Sequence, residues 1–310
     1  VWNSKNTRGY EGTVDLADGL TLTVDGTGDC PKLAGILANG FQDLSGDSTG
    51  RGLNQGNPAN LTYNLGNDTT IVMKGVDQVS SAPDMFSQFV YYAQMGIVND
   101  GAVMHIGDRL NVSTDIQGKY TLYAEGIANS KYGQLTIGDD AVIHAGGTLS
   151  ELSSGFGAEL YGLISRPKHD WDNDFSSKGR QSVTLGKNAD ITVDFLCDGT
   201  NLKTPASIMG TALRLDTTDL TAGSNLHLTT TQEGSGIGTY GLFAWNKSKA
   251  DIGDGFRADV TGKDHGYGLY GVYAGHYSNK GTYKDGTEIT FEGHAEQNLT
   301  AADSYQVFGS

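Results

Sequence analysis

Proline is scarce in this chain, 5 of 310 residues, and cysteine scarcer, with only Cys30 and Cys197. So little proline beside 45 glycines predicts many tight turns without disorder. Two thiols exclude a disulfide-rich scaffold, and no bond between them is expected. Basic side chains are outnumbered, 21 Lys and Arg against 36 Asp and Glu, for a formal charge of −15. The electrostatic attraction that drives binding to nucleic acid or anionic membranes is then repulsion, so neither is an expected partner. No apolar run is long enough to insert in a bilayer. Sustained 3.6-residue periodicity is also missing, which excludes leucine-rich, ankyrin and other helical repeats. The opening VWNSKN has no basic segment followed by an apolar one, so any secretion signal is expected to lie outside this chain.

What the chain has is glycine, 45 residues, and a hydrophobic fraction of 37% in short runs of Val, Ile, Leu, Tyr and Phe, a usage that favours strands and tight turns. The phrase LTIGDDAVIHAGG from Leu135 recurs as MHIGDRLNVSTD from Met104, VTLGKNADITVDF from Val183, LTAGSNLHLTTT from Leu220 and ADIGDGFRADVTG from Ala250. Aligned on the glycine, eight copies anchor at Ala17, Gly66, Gly107, Gly138, Gly186, Gly223, Gly253 and Lys284. Five positions on stand Leu22, Ile71, Val112, Ile143, Ile191, Leu228, Ala258 and Ile289, flanked mostly by polar residues. Alternation at period two predicts a strand with one buried face. A second phrase alternates with the first, as GILAN at Gly35, GIVN at Gly96, GIAN at Gly126, GLIS at Gly162, GTAL at Gly210, GLFAWN at Gly241 and GVYA at Gly271, and the residue after each glycine is expected inside. At closest spacing the two phrases repeat in about 30 residues, a solenoid period and short for a four-stranded propeller blade. The expected fold is all-β, a right-handed parallel β-helix of eight or more rungs, one domain over residues 1–310 with insertions at 40–60, 76–89 and 165–180. Rungs stacked at about 4.8 Å make a rod on the order of 40 Å long.

The tandem phrase, glycine-rich, acidic and almost free of cysteine, resembles the secreted passenger of bacterial autotransporter adhesins over about Val14 to Phe291. The resemblance implies export through the outer membrane, an extracellular position on the bacterial surface, and attachment to a glycan or protein receptor on host or neighbouring bacteria, with self-association a further possibility.

Candidate chemistry is thin. SGDSTG at Ser45 places Ser48 in a nucleophile-like turn, but Thr49 follows it and the first histidine is only His105, so no upstream His-Asp pair is available. Asp139 and Asp140 in GDD, with Asn188 and Asp190 in NAD, resemble fragments of a polygalacturonase set, a pectinase-like alternative in which paired acids cleave a glycosidic bond. Their order is reversed, and Asp18, Asp108, Asp139, Asp254 and Asp285 all follow the repeat anchor, so bonding of each Asp to its own turn is the expected role. DWDND from Asp170 spaces carboxylates like a calcium loop, but Phe175 and Gln181 stand where Gly and Glu belong. No catalytic residue, metal or cofactor is assigned.

Binding is expected on insertions and on the rod face. The stretch 165–180 carries His169, Asp170, Trp171, Asp172, Asp174 and Phe175, with an indole of the kind enriched at binding hot spots. Six positions after the anchors, Thr23, Ser113, Thr192, Thr229 and Thr290 form a predicted hydroxyl row suited to self-association.

Overall fold

The computed structural model describes residues 11–26, 33–39, 60–76, 94–118, 122–130, 132–149, 158–167, 180–197, 208–234, 238–263, 268–275, 286–301 and 306–308. Within these the chain winds through 24 strands and no helix. Every third strand joins the same sheet, giving three eight-stranded sheets in which each strand pairs in parallel with the strand one coil on. This is a parallel β-helix of eight coils. The fourth coil is typical, with Gln134–Ile137 in the first sheet, Val142–Leu149 in the second and Ala158–Arg166 in the third. Where no residues are inserted, neighbouring coils lie 30 positions apart, as Thr218 and Ser248 do.

The alternation builds the interior. In the second sheet Ile71, Val112, Ile143, Ile191, Leu228 and Ala258 stack in one column and are fully buried. Each aliphatic side chain so buried contributes about 1.5 to 3 kcal/mol. First-sheet residues such as Met104, Leu135 and Val183 and third-sheet residues such as Ile97, Leu163 and Leu213 close the same core.

The anchor glycines have a direct steric cause. The carboxylate or amide oxygen one position after each early anchor accepts a backbone N–H from the next coil, as Asp18 does from Asn67 (2.7 Å), Asn67 from Asp108 (2.8 Å), Asp108 from Asp139 (2.9 Å) and Asp139 from Lys187 (2.8 Å). A Cβ at Gly66, Gly107, Gly138 or Gly186 would meet that oxygen at 2.3 to 2.6 Å. The Asp residues therefore bond the following coil's turn, where the sequence suggested their own. Next in the turn, Asp68, Arg109, Asp140, Asn188 and Asn225 adopt left-handed φ of 57° to 61°. Asp and Asn tolerate that conformation, whereas Arg109 is held there with its guanidinium clamped on Asp68, at 2.6 and 2.8 Å.

A second glycine column bends the third sheet. Pairing runs through Leu160 and Tyr161, omits Gly162 and resumes at Leu163. At Gly126 and Gly162 a Cβ would strike the carbonyl of the next coil, at 2.5 and 2.7 Å, and the Cγ2 of Ile143 or Ile191, at 2.7 and 2.3 Å. The bend lets Leu160 and Leu163 both point inward, into separate buried clusters, and turns Tyr161 and Ile164 outward into a third with Met95, Val98 and Ala128.

Register corrects two alignments. Leu213, not Thr211, pairs with Leu163 and Leu242, so Ala212 and not Gly210 holds the bend in the fifth coil. Ala212 is fully buried there. In the eighth coil Ile289 and Phe291 pair with Ala250 and Ile252, which places Glu292, not Lys284, at the anchor. The aliphatic column therefore ends on Gln297, the partner of Ala258. There the turn shifts by one residue, since Asp254 accepts from the His294 N–H at 2.7 Å and the required glycine is Gly293.

Candidate functional site

The outward side of the second sheet is a polar grid. Parallel register aligns Asp190, His227, Arg257 and Glu296 in one row along the rod and Thr192, Thr229, Asp259 and Asn298 in the next. His227 is central, with Nε2 2.8 Å from Asp259 Oδ2 and 3.3 Å from Thr229 Oγ1, and Nδ1 3.8 Å from Asp190. Arg257 Nε and Asn298 Nδ2 each donate to Asp259 at 2.8 Å. Burial opposes ionisation of Asp259, but the hydrogen bonds from Arg257, Asn298 and His227 outweigh it and hold the carboxyl below the usual range. In the coil before Asp190, the His144 ring lies across Gly146, where a Cβ would meet ring Cε1 at 2.9 Å, and its Nε2 reaches Asp194 at 3.3 Å. That hydrogen bond is the main cause holding Asp194 below its ordinary value.

Four members of the predicted hydroxyl row share one outward column, Thr23, Ser113, Thr192 and Thr229, with Val72 and His144 interposed. Two of these hydroxyls have partners within the grid, since Thr192 donates to Asp190 at 3.2 Å and Thr229 contacts His227. Thr290 does not belong to this column. It pairs with Asp251 in the first sheet, because the eighth anchor is Glu292.

The first sheet carries a hydroxyl column of its own: Asp15, Asn64, His105, Thr136, Thr184, Thr221, Asp251 and Thr290 follow one another along the rod. Thr184, Thr221 and Thr290 are exposed and Thr136 half-buried. Among the described residues no side-chain hydrogen bond engages these four hydroxyls.

No protein-family model matches the chain, and neither a curated protein nor a solved structure matches it. His169, Asp170, Trp171, Asp172, Asp174 and Phe175 lie outside the described residues, as do Ser48 and the insertions' interiors. Their points of attachment are described: Ala158–Arg166 precedes the 165–180 stretch and Gln181–Leu185 follows it, while Leu33–Asn39 and Asn60–Leu65 flank 40–60. Both insertions thus interrupt the corner between the third sheet and the first. Asp139 and Asp140 stand in the turn ladder, Asp139 accepting from Lys187 and Asp140 from Asn188 Nδ2 at 2.8 Å. Among the described residues no three His, Cys, Asp or Glu side chains converge as a metal-binding group.

The outward side of the third sheet was not foreseen. Tyr161 and Ile164 are buried there, and the Arg214 guanidinium lies 5.2 Å from the Tyr161 ring centroid and 5.3 Å from that of Phe243. Tyr161 donates to Glu159 at 2.7 Å and accepts from Arg214, and Arg166 donates to Glu125 at 3.0 Å. Burial raises the Asp216 carboxyl above its ordinary range against the pull of Arg214. In the sixth and seventh coils aromatic rings take over. Tyr240 stacks on Tyr270 with centroids 4.7 Å apart and planes 8° apart, Phe243 on Tyr273 at 5.0 Å and 12°, and Trp245 lies 6.0 Å from Tyr273. The sequence signal was the repetition of GTYGLFAW as GLYGVYAG, with aromatic residues at matching offsets.

Proposed function

We propose that this chain is the adhesive rod of an exported bacterial surface protein, which attaches to a surface glycan or protein receptor and to other copies of itself. The observation that carries this reading is the first-sheet row Thr136, Thr184, Thr221 and Thr290, half-buried at Thr136, exposed at the other three and interrupted by Asp251. Its hydroxyls are not consumed by the rod's own bonding. Each hydrogen bond made by such a strip contributes only about 0.5 to 1.5 kcal/mol, but a parallel sheet presents them in register and many copies act together on a surface. The first sheet, which carries the strip, adjoins the corner that the 40–60 and 165–180 insertions interrupt. Extracellular display and the autotransporter-like setting rest on the resemblance of the repeat phrase.

The test is attachment of the purified chain to glycan and protein arrays, together with its sedimentation behaviour. Thr184→Lys with Thr221→Lys should weaken self-association, and Trp171→Ala should weaken receptor binding by about 2 kcal/mol. Thr192→Lys with Thr229→Lys, on the second sheet, should leave both intact. An unaltered response to the first-sheet and Trp171 changes, with loss on the second sheet, would move the contact surface and overturn the proposal.

A further inference from the structure

We propose that Met209 is an oxidation site, at which a peroxide converts the thioether to a sulfoxide whose oxygen is taken up by the Arg214 guanidinium, so that oxidation firms the third sheet's outward cluster instead of disrupting it. Among the described methionines Met73, Met95 and Met104 are buried, whereas Met209 is half-buried. Its strand, Ile208–Asp216, is the fifth coil's share of the third sheet, and its side chain packs on the outward cluster of Met95, Val98, Ala128, Tyr161 and Ile164. A peroxide must touch the sulfur to oxidise it, so exposure sets the order in which methionines react.

The sulfur stands beside a cation that is short of acceptors. Arg214 Nη1 and Tyr161 Oη each lie 3.8 Å from Met209 Sδ. Among the described residues the one oxygen that accepts from the guanidinium is Tyr161 Oη, and Arg214 Nε is buried with no partner. Glu159 accepts from Tyr161 at 2.7 Å, and Asp216 accepts from Asn246 at 3.2 Å and from Thr217 at 3.3 Å; neither carboxylate accepts from Arg214. A buried charge with hydrogen bonds unmade is costly, and a thioether is a weak acceptor. In the reaction a lone pair of Sδ bonds one oxygen of hydrogen peroxide and the O–O bond breaks. The hydroxide that leaves takes the proton of the transferred hydroxyl and becomes water. Sulfur is oxidised by two electrons, and the peroxide is reduced by the same two. The three rotatable bonds of the methionine side chain let the new oxygen turn toward Arg214 whichever lone pair reacts. There it accepts a charge-assisted N–H···O bond in place of a weak N–H···S contact.

The experiment treats the intact chain with dilute hydrogen peroxide and maps its peptides by mass. The peptide containing Met209 should gain one oxygen before those containing Met73, Met95 and Met104. Met85 lies outside the described residues, so melting is followed in a Met85→Leu chain. There the melting temperature after oxidation of Met209 should equal or exceed that of the untreated chain, against the loss that a sulfoxide in an apolar core produces. Met209→Gln, which sets a carbonyl oxygen near the place of the sulfoxide oxygen, and Met209→Leu, which sets none there, test the same contact without an oxidant. The Gln variant should melt no lower than the Leu variant in the unoxidised chain, and below it once Arg214→Met removes the guanidinium. Earlier reaction at Met73, Met95 or Met104, a melting temperature that falls when Met209 is oxidised, or a Gln variant that melts below the Leu variant with Arg214 in place overturns the proposal.

Discussion

At the residue scale the repeat phrase is a packing rule for two side chains in successive coils. Asp108 reaches up to the Asp139 N–H, and Gly138 must lack a Cβ because Asp108 Oδ1 would lie 2.3 Å from it. Gly138→Ala should therefore cost about 1 to 3 kcal/mol, the usual penalty of overpacking a tight site. Asp108→Ala alone loses a partly buried hydrogen bond and should cost about 1 kcal/mol. The double variant should be less destabilised than the sum, because the clash with the carboxylate is removed while the Asp108 N and Gly107 carbonyl carbon, each 2.8 Å from the added Cβ, keep part of the cost, and a denaturation double-mutant cycle measures that coupling. Additive costs would show that the glycine is required for another reason. Gly223 gives the contrast, since its nearest atoms are Gly186 backbone at 2.8 Å, and no side-chain change should rescue Gly223→Ala.

At the element scale the outcome depends on which face of a strand a residue occupies. Ile143 is fully buried, while Thr192, in the adjacent strand and one position off that column, is half-buried on the outward grid. Ile143→Asp places an unpaired charge in the interior and should cost several kcal/mol, whereas Thr192→Asp should shift the melting temperature little. Equal melting temperatures would contradict the alternation. The grid also makes a pH prediction. The hydrogen bond from His144 holds Asp194 below its ordinary pKa, so its stabilisation is present above the unfolded value near 3.9 and is lost as the pH falls through the lower folded value. Asp194 is about half exposed on its side chain, so the effect is capped at roughly 1 kcal/mol. The melting-temperature gap between the wild-type chain and Asp194→Asn should be positive at pH 7 and close on acidification below about pH 4.

At the scale of the whole molecule each coil is stable only because the next covers it. An insertion at the corner between the third and first sheets is outside that arrangement, because the strands on either side, Ala158–Arg166 and Gln181–Leu185, already pair with their neighbours. Replacing Lys168 to Ser176 with a short Gly-Ser linker should change stability by less than about 1 kcal/mol, since closure cost varies slowly with loop length, and should weaken receptor attachment. Melting of the fold on this replacement would make the segment structural.

Sequence alone determined the fold class, because period-two alternation and a glycine-turn phrase are local properties that survive without knowledge of neighbours. It also placed seven coils of the aliphatic column, Leu22 to Ala258. What only the tertiary structure decided was register and partnership. Gly210 matched the phrase better than Ala212, yet the bend position follows the pairing across coils, Leu213 with Leu163 and with Leu242. Lys284 stands at the repeat spacing, whereas pairing of Phe291 with Ile252 puts the eighth anchor at Glu292, where the turn's glycine is shifted by one residue. The His227 grid, the Arg214 cluster and the tyrosine stack went unseen for the same reason. Their members stand 30 or more residues apart, as Asp216 and Asn246 do, and only coil-on-coil stacking brings them into contact.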